Sequence, residues 1–187
     1  MAIPRRYLDA PIEKDDQAET FLTEDGFYRT TGVFMITELP DLTPRTPESF
    51  EEWRKHAGWK NSHWINVLLQ RNRKIGTAGP SDAKFKTYSR MRESMDEFER
   101  KGMLHGLEWL SHPSGIDSFV KFEDRKRTVF ISCSRPNHVP MPSCSQFIAP
   151  RPTLNVKVTY SAEYLPRWQE IETKVRARIE EFIAAAG

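Results

Sequence analysis

"TLNVKVTYSAEYLPRWQEIETKVRARIEEFI" (residues 153–183) changes its apolar period once, and that change decides the fold. Up to Tyr160 the period is two. Leu154, Val156 and Val158 fall on one side, while Asn155, Lys157 and Thr159 fall on the other. This is the pattern of an antiparallel strand with one face in a core. From Leu165 the spacing becomes three or four: Leu165, Trp168, Ile171, Val175, Ile179 and Phe182 form one helical stripe, and Pro166 suits a first turn. Upstream, "HGLEWL", "DSFVKF" and "RTVFISC" are short strands separated by the turns "SHPSG" and "EDRK". Strands followed by a long amphipathic helix predict an α+β fold: an antiparallel sheet with helices packed on one face, closed by a long C-terminal amphipathic helix.

The first half is less regular. Residues 1–20 are polar, with Glu13, Asp15, Asp16 and Glu19 close together, and are expected to form an N-terminal arm ahead of a single α+β domain over 21–187. "GFYRTTGVFMITEL" (26–39) is aromatic and β-branched and predicts a strand, bent or bulged at Gly32. "TPESFEEWRKHAG" carries helix signals at both ends. Thr46 suits the N-cap, Pro47 the first helical position and Gly58 the stop, with Phe50, Trp53 and Ala57 on one face. "HWINVLLQRN" (63–72) reads as a strand, although Leu68 also allows a short helix. "SRMRESMDEFERKG" predicts a helix with Met91, Met95 and Phe98 on one side and Gly102 as its stop.

Bulk properties narrow the function. The 187 residues suffice for one domain with a core, and the net charge of +2 is too small to call for nucleic acid. No apolar run is long enough to span a bilayer, and "MAIPRRYLDAPIEKDDQ" lacks a signal-peptide core. The expectation is either a cytosolic protein or one whose export or anchor segment is not in this chain.

Both cysteines lie in "ISCSRPNHVPMPSCSQF" (131–147). Cys133 ends one predicted strand and Cys144 begins the next extended piece. The intervening loop holds Pro136, Pro140 and Pro142, so it donates few backbone hydrogen bonds. A disulfide clasping this loop is the leading reading and implies an oxidising compartment. Three others stay open: a zinc site using Cys133, His138 and Cys144, a reactive thiol, and two unrelated buried thiols.

From Gly106-Leu107 through Cys133 and Cys144 to Leu165, Trp168 and Ile171, the chain resembles a group of bacterial periplasmic domains. They are small proteins, usually with an N-terminal membrane anchor, found beside polymorphic-toxin and type VI secretion loci. The resemblance covers residues 103–183. It implies an immunity-type protein that binds and neutralises a cognate toxin in the periplasm, tethered to the inner membrane by a segment upstream of residue 1.

No catalytic signature accompanies this. None of His56, His63, His105, His112 and His138 pairs with another at i,i+4, and no phosphate loop or nucleophile elbow occurs. No cofactor or metal is expected. The candidate partner-binding residues fall in three places. Arg135, Asn137, His138 and Met141 lie in the proline loop. Arg71, Arg73, Lys74, Lys84 and Lys86 belong to a basic run interleaved with Phe85 and Tyr88. Trp59 and Trp64 flank "WKNSHW". The rival functions are a hydrolase-like enzyme with an unrecognised site and a structural subunit of an envelope or secretion complex. Protein purified without reductant should take up no alkylating agent at cysteine, measured by intact mass. Two adducts would remove the disulfide.

Overall fold

The computed structural model describes residues 3–4, 7, 32–56, 62–71, 98–124 and 126–185. Among the described residues, nine strands form one sheet. They are β1 (Gly32–Glu38), β2 (Thr43–Pro44), β3 (Trp64–Arg71), β4 (Glu99–Leu104), β5 (Leu107–Ser111), β6 (Ile116–Glu123), β7 (Lys126–Ser134), β8 (Ser143–Arg151) and β9 (Leu154–Ser161). Helix α1 (Pro47–His56) follows β2. A 3-10 turn (Ala162–Arg167) leads into helix α2 (Trp168–Ala184). The order across the sheet is β2-β1-β3-β9-β8-β7-β6-β5-β4, with every neighbouring pair antiparallel. The C-terminal six strands are thus a meander, and the N-terminal strands extend it beyond β9.

The alternation in β9 does what its pattern predicts. Val156 and Val158 pair with Leu69 and Val67 of β3 on one side and with Ile148 and Gln146 of β8 on the other. Val156, Val158 and Tyr160 are buried, as are Ile65, Val67 and Leu69, and Trp64–Arg71 is a strand rather than a short helix. The α2 stripe of Trp168, Ile171, Val175, Ile179 and Phe182 is buried in the same cluster. Each such side chain contributes about 1.5–3 kcal/mol by leaving water.

Helix α2 spans the sheet, and polar ties hold it at both ends. The Trp168 indole N–H donates to the His105 carbonyl in the β4–β5 turn (3.0 Å). Lys174 pairs with Asp41, and Arg178 donates to the Asp41 carbonyl, in the β1–β2 turn. Between them runs a buried chain of polar groups. The Tyr160 hydroxyl donates to Gln146 (3.0 Å), the Gln146 amide donates to Glu172 (2.8 Å), and Glu172 accepts from Arg176. Burial, with the Glu172 carboxylate nearby, pushes the Tyr160 phenol above its ordinary range, so it stays a donor.

The opposite face is also partly buried, at Ile36, Trp64, Val120 and Phe130, and the Phe130 and Phe147 rings stack 5.6 Å apart. Helix α1 opens with a reciprocal cap. The Thr46 Oγ1 accepts from the Ser49 N–H, and the Ser49 hydroxyl oxygen accepts from the Thr46 N–H. Phe50 and Trp53 share a face of α1 and stack under the Arg45 guanidinium, with Phe50 left 37% exposed. Tyr7 is buried edge-on against Phe182 (5.0 Å).

One expectation is corrected. Residues 99–102 were expected inside a helix ending at Gly102, and they form strand β4 instead. Gly102 has φ +104 and sits at a register shift opposite β5, a bulge. Glycine at positive φ suits both a helix stop and a bulge, so the residue alone does not decide between them. The rest of that helix, Ala57 and Gly58 beyond α1, and the start of the 26–39 strand lie outside the described residues.

Ile171→Ala should lower stability by about 2–5 kcal/mol, because its side chain is 1% exposed in the helix–sheet contact. Thr173→Ala on the outer face of α2 should stay within about 0.5 kcal/mol. Urea unfolding of both variants checks the contrast.

Candidate functional site

Cys133 and Cys144 occupy directly opposed positions on β7 and β8, and a disulfide joins them. Both are buried on the face that carries α2. The bond therefore ties the last rung of the ladder before the chain leaves the sheet. One residue further out, Ser134 and Ser143 add a second closure. The Ser134 hydroxyl accepts from the Ser143 N–H (3.0 Å) and lies against the Ser143 carbonyl. Beyond it, residues 135–142 form the tip of a wide hairpin. Pro142 remains anchored, because its carbonyl accepts from the Ala162 N–H (3.0 Å).

Arg135 anchors the other side of the tip. Its guanidinium lies 3.1 Å from the Asp117 carboxylate and donates to the His112 carbonyl, while its backbone N–H donates to the Gly115 carbonyl (2.9 Å). Asp117 is buried, so pairing with Arg135 compensates a charge taken out of water. The turn from β5 to β6, His112–Gly115, is thereby fastened to the 135–142 loop. His138 completes the contact. A Cβ at Gly115, where φ is +84, would sit 2.3 Å from the His138 Cγ, so the ring packs directly on bare glycine backbone.

The candidate residues fare differently. Asn137, His138 and Met141 are exposed together on this tip, with Met141 at 50%. Arg135 is part of the scaffold: its charge faces inward to Asp117 rather than outward to a partner. Trp64 is 5% exposed and packs on the face away from α2. Arg71 ends β3, but its side chain lies outside the described residues, as do Arg73, Lys74, Lys84, Lys86 and Trp59. The β5–β6 turn was missed as a companion of the loop. "SHPSG" signals a turn but not its neighbour.

The histidines can be examined for chemistry. Nδ1 of His112 accepts from both the hydroxyl (2.6 Å) and the N–H (3.1 Å) of Ser114, a contact two residues apart that closes the turn. His63 faces Glu38 at 3.2 Å and Glu52 at 3.9 Å, bridging β1 and α1. Among the described residues, neither the His105 nor the His138 ring hydrogen-bonds or ion-pairs with a serine, cysteine or carboxylate. No group of three or more metal-binding side chains occurs among them either.

No family model matches the chain, and no curated protein matches it. The fold has a solved counterpart. It is similar to Smlt3025, an immunity protein of the Stenotrophomonas maltophilia type IV secretion system, with a TM-score of 0.51 and 16% identity. The match covers 88% of this chain and 85% of that one, well beyond the stretch that carries the sequence resemblance. At this identity the likeness is one of fold. The counterpart serves a type IV system, so it lends no support to the type VI association expected above.

Replacing Cys133 and Cys144 together by serine should lower stability by about 3 kcal/mol, the loop-closure value for a bridge of sequence separation 11. The loss should vanish when wild type is measured in reductant. Thermal unfolding with and without dithiothreitol provides the measurement.

Proposed function

We propose that this chain is a non-catalytic immunity-type protein that neutralises a cognate secreted toxin by binding it. One observation carries the reading: the fold is shared over nearly the full length of both chains with a protein described as an immunity protein. The site supports it. A clasped loop projecting from a rigid sheet is suited to occluding a surface.

The disulfide supports placement in an oxidising compartment, and the proposal puts the protein in the bacterial periplasm, tethered to the inner membrane. None of the described helices is long and apolar enough to cross a membrane. Asn137, His138 and Met141 would contact the toxin directly. Arg71, Arg73, Lys74, Lys84, Lys86 and Trp59 are proposed as rim contacts, where basic charge accelerates encounter with an acidic surface.

Co-expression of the exported chain with the toxins encoded beside its gene tests this. The expected result is restored growth with one toxin and a stable complex on size exclusion. Failure to protect against any of them, with no complex formed, would remove the proposal.

A further inference from the structure

Resting on the binding-protein reading above, we propose that the centre of the partner interface is a two-loop tip. It consists of His112–Ile116 and Pro136–Met141, and it enters an apolar, charge-poor cleft of a protein partner. The first observation is a charge map. In a chain with 29% charged residues, positions 112–116 and 136–148 contain no Asp, Glu, Lys or Arg. The adjoining Arg135 and Asp117 neutralise each other inside the tip. Exposed loops ordinarily stay solvated through charged and neutral polar groups together. A centre that must be desolvated is instead depleted of charge and enriched in residues such as methionine.

The second observation is exposure. Met141 is 50% exposed and Ile116 is 36% exposed, two large apolar side chains held in water at this end of the sheet. The prolines at 113, 136 and 140 are exposed beside them. The third is rigidity. The disulfide, the Ser134–Ser143 closure, the Arg135 contacts and the His138–Gly115 packing fix both loops before any partner arrives. Loop ordering, one of the costs of association, is then already met in the free protein. Gly115 is a positioning residue in this arrangement, because any side chain there would push His138 and its loop away.

An acidic partner would call for free Lys or Arg on the tip, which has none, and the adjoining Arg135 faces inward. An anionic lipid surface would call for the same. A cleft with few charges and a hydrogen-bonding group for the Asn137 amide is the complement that remains.

The test uses the toxin bound by the wild-type chain, with Met141→Lys, Met141→Glu and Gly115→Val. Both Met141 variants should weaken binding by at least about 30-fold, because either sign of charge would be buried without a partner. Their thermal midpoints should not move. The wild-type dissociation rate should change less than about twofold between about 50 and about 500 mM salt, since screening acts on exposed charges. Gly115→Val should also weaken binding, with its far-UV spectrum unchanged. If one Met141 variant tightens binding, or neither changes it, the tip is not a charge-poor centre and the proposal falls. A dimer of the free chain that Met141→Lys dissolves would make the occupant a second copy, which also overturns it. Isopropanol titration of the free chain, read by amide shifts, provides a partner-independent arm. Shifts should concentrate in 112–116 and 136–141, and shifts confined elsewhere refute the tip. A wild-type chain that binds no toxin removes the function proposed above, and the isopropanol arm still judges the tip.

Discussion

The contact between the α2 stripe and one face of the antiparallel sheet organises the whole molecule. Trp168, Ile171, Val175, Ile179 and Phe182 occupy one side of the helix, and the residues they meet come from strands distant in sequence. Val67 and Leu69 belong to β3, Val156 and Val158 to β9, and Ile131 to β7. An antiparallel meander of short strands has little to hold its outer members apart from their ladders. A helix laid across it links them into one body. The Tyr160–Gln146–Glu172 chain adds direction to that contact, since rotating or sliding the helix would orphan a buried amide.

The tip inherits its rigidity from this arrangement. Cys133 and Cys144 face the same core as α2, so the disulfide fastens the hairpin to packed interior and not merely to itself. Asp117 sits opposite Cys133 in the β6–β7 register, which brings its carboxylate to Arg135 just past the end of β7. The loop conformation is thus fixed from below by covalent chemistry and from the side by a charge pair and a glycine. What remains exposed is mostly proline, methionine, asparagine and histidine, carried on a backbone held at both ends of the loop.

Much of this was legible where period or chemistry was local. The β9 alternation and the α2 stripe are written in consecutive residues. So is the Thr46–Pro47 start of α1, which the cap confirms. What was not legible shares a cause: it depends on what lies across the sheet. Trp64 sits on the face away from the helix, and the alternation of Ile65, Val67 and Leu69 does not say that this second face is also covered. The loop sequence shows Arg135 as a cation, but its partner is set by strand register. Gly102 was assigned to the wrong element because a positive φ serves two purposes, and only the β5 pairing distinguishes them. The turn at 112–115 was recognised as a turn, while its union with the 135–142 loop arises only from two hairpins standing side by side.

The two outermost described strands give the sheet its character at the margins. β2 is two residues long, and β4 combines a bulge at Gly102 with Glu99, Arg100 and Lys101. A foreign strand seeking to extend the ladder at β4 would meet a kinked, charged rim, and at β2 almost no rim at all. Growth of the sheet by edge recruitment, the usual hazard of a wide open β-structure crowded among its own copies, is thereby discouraged. The loops at the strand ends lie outside this constraint, so their sequence can change without disturbing the ladder beneath.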